Sequence, residues 1–94
     1  MSTALFEAVN VGDAAALKQL LASGADVNAS DEAGWTPLAR AVYNHEQKHG
    51  FLDVVQTLIA AGANMEATIA YGVRPLMLAA GYGETAIVEF LIQS

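Results

Sequence analysis

The chain has 94 residues, no cysteine and a formal net charge of −6 at pH 7. The length predicts one small domain, the lack of cysteine excludes disulfide, thiolate-zinc and thiol-nucleophile chemistry, and the acidic balance argues against a nucleic-acid partner. No apolar run approaches the roughly 18 residues of a membrane span and the first residues carry no signal-peptide pattern, so we expect no membrane contact and a cytoplasmic location.

The sequence repeats itself. Leu5 and Leu38 are 33 residues apart, whereas Leu38 and Leu76, like Gly12 and Gly50, are 38 apart. One 33-residue period with a single five-residue insertion explains these spacings. The repeats are predicted at about 1–30, 31–68 and 69–94, with the third cut short.

Helix signals recur in the same phase within each repeat. Thr36 and Pro37 form a capped helix start, and Gly24 and Gly62 follow leucine-rich segments where a left-handed C-cap needs glycine. In chain order, helices are predicted at about 4–11, 14–22, 37–48, 53–61, 75–81 and 85–92. The third helix is drawn long because the insertion, which lies within 42–49, is expected to extend it.

The insertion contains a metal-binding pattern. His45, Glu46 and His49 match H-E-x-x-H, in which two histidines on one helix face bind zinc and the glutamate activates water. Glu84 is the one credible third ligand, because it begins the outer helix beside the same turn. We interpret the match as chance in a solvated insertion, and keep a zinc-binding or metallopeptidase-like protein as the alternative function.

The phased segments resemble the ankyrin-repeat family. The likeness covers essentially the whole chain and rests on residues 34–38 (GWTPL), 20–29 (LLASGADVNA) and 53–64 (DVVQTLIAAGAN). The resemblance implies an all-α solenoid of helix pairs with projecting β-hairpin or turn loops. It also implies a non-catalytic module or scaffold without cofactor, which binds a protein or peptide through its loop tips and inner helices.

The family's recognition groove maps onto a definite set of positions. By period these are Glu32, Ala33, Trp35, Tyr43 and Asn44 in the second repeat, and Ala70, Tyr71, Val73, Gly81 and Tyr82 in the third. The single tryptophan and all three tyrosines fall there, whereas the three phenylalanines fall elsewhere. We expect these aromatic residues to anchor a partner with basic or hydrogen-bonding side chains, although bracing of the loops is the competing interpretation.

Two further expectations concern charge and the last repeat. Glu7 and Arg40 occupy equivalent places one period apart, so a pair between repeats is expected to neutralise Arg40. The last helix is apolar on more sides than a terminal helix needs. A longer array, self-association through this uncapped repeat, or tolerated exposure would each explain it.

Overall fold

The computed structural model describes residues 3–43, 50–69 and 72–93. The described residues form six α-helices, which are α1 (Thr3–Val11), α2 (Ala14–Ala22), α3 (Pro37–Val42), α4 (Leu52–Ala60), α5 (Pro75–Gly81) and α6 (Thr85–Gln93). The predicted all-α class is confirmed. Within these ranges, no helix is long and apolar enough to span a membrane.

The helices pack as three antiparallel pairs in two rows. Contacts run along α1, α3 and α5 in the inner row and along α2, α4 and α6 in the outer row, and each inner helix also contacts its own outer helix. One apolar core lies between the rows, and its largest fully buried side chains include Leu5, Leu17, Leu38 and Leu58. Each pair buries a single side, so the core exists only because neighbouring pairs stack.

The inner helices begin as their sequences predict. The Thr36 hydroxyl accepts a hydrogen bond from the Ala39 N–H at 3.1 Å, and Pro37 occupies the first helical position. Arg74 precedes Pro75 at the equivalent place and makes no side-chain cap. The start of α3 is therefore better stabilised than that of α5, because a capping hydroxyl satisfies one helix-terminal N–H.

The turn between inner and outer helix is closed by the same backbone hydrogen bond in every pair. The donor and acceptor are Asp13 and Ala8 (2.9 Å), Phe51 and Ala41 (2.8 Å), and Glu84 and Ala79 (3.0 Å). The bond spans five positions in the first and third pairs and ten in the second. The second pair thus accommodates five extra residues without losing the contact that fixes the outer helix on the inner one.

The predicted extension of the third helix to residue 48 is wrong. Helix α3 ends at Val42, and Tyr43 leaves it in an extended conformation with φ −149° and ψ 122°. Near this end of α3, the Ala41 carbonyl accepts from the Phe51 N–H, so the chain returns to the helix end after the insertion. Residues 44–49, including the H-E-x-x-H pattern, lie outside the described residues.

The projecting loops are hydrogen-bonded turns. Asp31 N–H donates to the Trp35 carbonyl at 2.9 Å, and Ile69 N–H donates to the Val73 carbonyl at 2.8 Å in the next loop. No residue of the described ranges is in a β-strand. Successive loops are also joined, because the Asn64 N–H donates to the Asn28 side-chain oxygen at 2.8 Å.

Candidate interaction surface

Asp31 organises the loop between the first two helix pairs. One carboxylate oxygen accepts from the Ala33 N–H at 3.0 Å and from the Trp35 N–H at 2.9 Å. The second oxygen accepts from the Arg40 Nε at 2.8 Å, which ties the loop to the middle of α3. An aspartate at the start of a turn often bonds the N–H two residues on, so the sequence itself favours this geometry.

Arg40 pairs within its own repeat. Its Nη2 lies 2.8 Å from the same Asp31 oxygen, and its guanidinium carbon stands 4.5 Å from the centroid of the Trp35 ring. The expected pairing with Glu7 is wrong, because among the described residues the acid within ion-pair distance of Arg40 is Asp31. Arg40 therefore has a structural role, but its partner is a loop residue nine positions back that repeat spacing does not reveal.

The environment of Asp31 lowers its pKa. Partial burial alone would raise the pKa above the ordinary 3.8. The Trp35 N–H, the Arg40 guanidinium and the Ala33 N–H together outweigh that effect, because each stabilises the ionised form. The folded state consequently binds a proton at Asp31 less readily than the unfolded chain does.

Asp31→Asn is expected to flatten the loss of stability in acid. A folded-state pKa below 3.8 means that the contribution of Asp31 is fully present above about pH 4 and is lost as the pH falls further. Urea unfolding between pH 7 and pH 3 should show a steeper decline for the parent than for Asp31→Asn. Glu32→Gln, which removes a charge from the same loop without touching these bonds, should follow the parent; a parental slope in Asp31→Asn would contradict the prediction.

Tyr43 and Tyr82 form an aromatic pair across two repeats. Their rings are parallel within 5°, and the ring centroids lie 3.7 Å apart. Tyr43 follows α3 and Tyr82 follows α5, so the pair joins the ends of adjacent inner helices. Tyr43 is half-buried, whereas Tyr82 is 47% exposed. The pair is accessible mainly through Tyr82.

The other predicted groove residues are distributed along the loops and inner helices. Glu32 and Ala33 are exposed at the tip of the first loop, and Trp35 and Val73 are half-buried beside α3 and α5. Asn44, Ala70 and Tyr71 lie outside the described residues. Among the described members, the structure brings Tyr43 and Tyr82 into contact and leaves Trp35 at the loop end, where Arg40 covers it.

Glu84, the candidate third zinc ligand, has a bond of its own. One of its carboxylate oxygens accepts from the Gly50 N–H at 3.1 Å, and this bond joins the residue before α6 to the segment that leads into α4. No group of three metal-binding side chains occurs within 3–43, 50–69 and 72–93. The described contact of Glu84 is thus structural, and the two histidines of the pattern lie outside these ranges.

Three helix pairs stacked in register, with hydrogen-bonded loops at one end and paired aromatic rings along the inner row, define a helical repeat protein. A family model described as ankyrin repeats (3 copies) matches residues 1–69. The chain belongs to the ankyrin-repeat family, which confirms the resemblance noted from the sequence. Ankyrin repeats generally mediate protein–protein interactions, and the family is typically non-catalytic.

Curated relatives agree with this assignment. The chain is 40% identical over 96 aligned residues to Ankyrin repeat domain-containing protein 63 of Mus musculus, covering 98% of this chain and 23% of that protein. It is also 40% identical to B-cell lymphoma 3 protein homolog of Mus musculus, covering 98% and 20% of the two chains. Protein phosphatase 1 regulatory subunit 27 of Homo sapiens is 43% identical over 69% of this chain and 39% of its own. The chain therefore spans well under half the length of each.

Proposed function

We propose that the chain binds a protein or peptide segment on an aromatic groove. The groove comprises Glu32, Ala33, Trp35, Tyr43, Val73 and Tyr82, together with the sequence-predicted Asn44, Ala70 and Tyr71. The observation that carries the proposal is the Tyr43–Tyr82 pair, because it puts large amphipathic rings side by side on two repeats with one of them 47% exposed. We also propose a cytoplasmic location, on the basis of the cysteine-free composition.

The tyrosine pair suits binding for two physical reasons. Tyrosine offers a large apolar face and a hydroxyl while having few rotatable bonds, so it loses little entropy when a partner covers it. Stacking of Tyr82 on Tyr43 restricts the ring further, which reduces the ordering cost that a partner would otherwise impose. A partner side chain that packs against Tyr82 therefore meets a surface that is already ordered.

The charge distribution favours a basic partner. Both arginines of the chain are engaged by acids: Arg40 pairs with Asp31 at 2.8 Å, and Arg74 pairs with Glu66 at 3.3 Å. An acidic partner would compete with these internal carboxylates. Glu7 and Glu32, by contrast, are exposed on the inner row and the loop tip, where they attract lysine or arginine side chains.

Tyr82→Ala is expected to weaken binding of the cognate partner by about 30-fold, because loss of an interface anchor costs about 2 kcal/mol. The partner is first obtained by affinity capture from the native cell extract, and its Kd is then measured by calorimetry with each variant. Tyr82→Phe should retain most of the affinity, since the ring stack is preserved.

Gln56→Ala is the matched control, because Gln56 is exposed on the outer helix α4, away from the groove. It should bind as the parent does, and the parental Kd should rise with ionic strength. Equal affinity of Tyr82→Ala and the parent would refute the groove as the binding site. An affinity that does not change with salt would refute the basic partner alone.

A further inference from the structure

Arg40 has a hydrogen-bonding edge that the fold does not use. A guanidinium carries N–H donors on two edges. The edge formed by Nε and Nη2 faces the Oδ2 of Asp31, at 2.8 Å from each nitrogen. The donors of the other edge, formed by Nη1 and the second N–H of Nη2, make no hydrogen bond to any residue that the structure describes.

This Nη1–Nη2 edge is open to the surface. Among the described residues, no buried side-chain nitrogen or oxygen lacks a hydrogen-bond partner. The remaining donors of Arg40 are therefore not enclosed in the core, which agrees with a side chain that is 23% exposed. Helices α1 and α5 both pack on α3, so this edge lies within the stack and not at its end.

The open edge is held in place before a partner binds. Asp31 fixes the opposite edge of the guanidinium, and the centroid of the Trp35 ring lies 4.5 Å from its central carbon. A ligand that accepts hydrogen bonds approaches in the guanidinium plane, at the Nη1–Nη2 edge. Because the side chain is already ordered, little conformational entropy is lost when such a ligand binds.

The charges around Arg40 favour a neutral acceptor. Asp31 is ionised at neutral pH, because its pKa is lowered from the ordinary 3.8, and it neutralises the guanidinium. Two exposed acids add negative charge nearby: Glu32 follows Asp31 in the loop, and Glu7 has on α1 the place that Arg40 has on α3. These acids repel a carboxylate or phosphate, whereas a carbonyl oxygen accepts the same hydrogen bonds without that repulsion.

Arg40 lies close to the tyrosine pair of the proposed groove. Tyr43 follows it by three residues, which sets the two on one side of α3 and about 4.5 Å apart along the helix axis. An extended peptide advances about 3.3 Å per residue and has a carbonyl at each one. A segment that packs a side chain on Tyr43 and Tyr82 therefore has a main-chain carbonyl at Arg40, about one or two residues away.

We propose that Arg40 binds the partner as well as the loop, by donating from its Nη1–Nη2 edge to a main-chain carbonyl of an extended peptide segment. This inference rests on the proposed function and specifies the occupant of the groove. The segment packs an apolar or aromatic side chain on the tyrosine pair, has neutral backbone at Arg40, and directs its basic side chains to Glu7 and Glu32. Asp31 is then a positioning residue, because it acts on the partner through Arg40.

A peptide selected on the parent chain from a random phage-displayed library is the probe. It is synthesised with each main-chain carbonyl in turn replaced by a thiocarbonyl, whose sulfur is a weaker acceptor. At one position the replacement should lower the affinity for the parent about fivefold. Arg40→Lys keeps the charge and a bond to Asp31 but has no second edge, so it should bind the unmodified peptide about tenfold more weakly. The same thiocarbonyl should then change the affinity by less than about twofold.

This loss of the thiocarbonyl effect separates binding from a purely structural role. If Arg40 only holds the loop, Arg40→Lys weakens every form of the peptide by the same factor, and that result would overturn the inference. Arg74→Lys is the matched control, because Arg74 is also ion-paired but lines the outward side of the last helix pair. It should leave the thiocarbonyl pattern unchanged. Should circular dichroism show Arg40→Lys to be unfolded, Arg40→Met combined with Asp31→Asn gives the same test without an unpaired charge.

Two further outcomes decide between this inference and the proposed function. If selected peptides share an acidic or amide side chain whose removal matters only when Arg40 is present, the edge binds a side chain and the inference is wrong. Peptides that depend on Tyr82 but show no coupling to Arg40 would reject the inference and leave the groove standing. If no selected peptide distinguishes the parent from Tyr82→Ala, the groove and the inference fail together.

Discussion

Leu38→Ala is expected to lower the free energy of unfolding by about 2–5 kcal/mol, the largest effect of any single side-chain truncation considered for this chain. Leu38 is 1% exposed, lies in the central inner helix α3 and belongs to the core cluster between the two helix rows. Its removal leaves a cavity that α3 cannot close, because α1 and α5 hold it from both sides. Out of a total of about 5–15 kcal/mol, this loss is a large fraction.

The control is the same substitution one repeat later. Leu76 follows Leu38 by 38 residues and is 40% exposed, so Leu76→Ala removes fewer buried methyl groups and should cost about 1 kcal/mol. Urea unfolding of both variants at low protein concentration measures the difference. Equal losses would mean that α5 is covered in solution as α3 is, or that the stack does not unfold as one unit.

Much of the fold could be predicted from the sequence because it depends on local signals repeated in phase. Thr36 and Pro37 fix the start of α3 through a cap and a preset φ, and Gly24 and Gly62 have φ values of 100° and 95° after the outer helices. These signals act within a few residues of each other. A 33-residue period then sets the order of the pairs without any knowledge of distant contacts.

The end of α3 could not be predicted in this way. The five-residue insertion was expected to lengthen the helix, but α3 ends at Val42, and the Phe51 N–H donates to the Ala41 carbonyl ten positions back. That bond joins residues on the two sides of the insertion, so no local signal in the sequence reports it. An insertion in a repeat protein is therefore better treated as a loop between two fixed anchor points than as extra helix.

For the candidate surface too, the positions could be predicted from the sequence but the contacts between them could not. The resemblance to the ankyrin-repeat family, mapped by period, selected Trp35, Tyr43 and Tyr82 as groove positions, and these three are at least partly accessible. The stacking of Tyr43 on Tyr82 could not be predicted from the sequence, because it depends on how closely α3 and α5 pack. Asp31 was missed as the organiser of its loop, although its place three residues before Gly34 is a recognisable turn signal.

Gly50→Ala is expected to destabilise the protein by about 3 kcal/mol. Gly50 has no positive φ, unlike its counterparts Gly12 (73°) and Gly83 (71°), so backbone conformation is not the reason. A Cβ on Gly50 would overlap the carbonyl oxygen of Val42 and the Cδ1 of Ile87. The glycine is needed because the chain, on returning from the insertion, passes directly against the end of α3.

Relief of that overlap has consequences on both sides of Gly50. The Val42 oxygen belongs to the backbone of the central helix and cannot rotate away, so the returning segment must move instead. Movement stretches the bond from the Gly50 N–H to Glu84, now 3.1 Å, and the neighbouring Phe51–Ala41 bond, now 2.8 Å. The Phe51–Ala41 bond holds the second pair together, and the Gly50–Glu84 bond joins the second pair to the third. The substitution therefore weakens the stack at its centre.

Gly81→Ala provides the matched control for Gly50→Ala. Gly81 is the last residue of α5, has no positive φ, and a Cβ there would meet nothing within 4 Å. Alanine should therefore leave stability unchanged or raise it by up to about 1 kcal/mol, since glycine is the weaker helix former. Thermal unfolding followed by circular dichroism should separate the variants, at about 4–8 °C per kcal/mol for a domain of this size. If Gly50→Ala melts with the parent, the returning segment does not pass against Val42, and the anchored-loop description of the insertion is wrong.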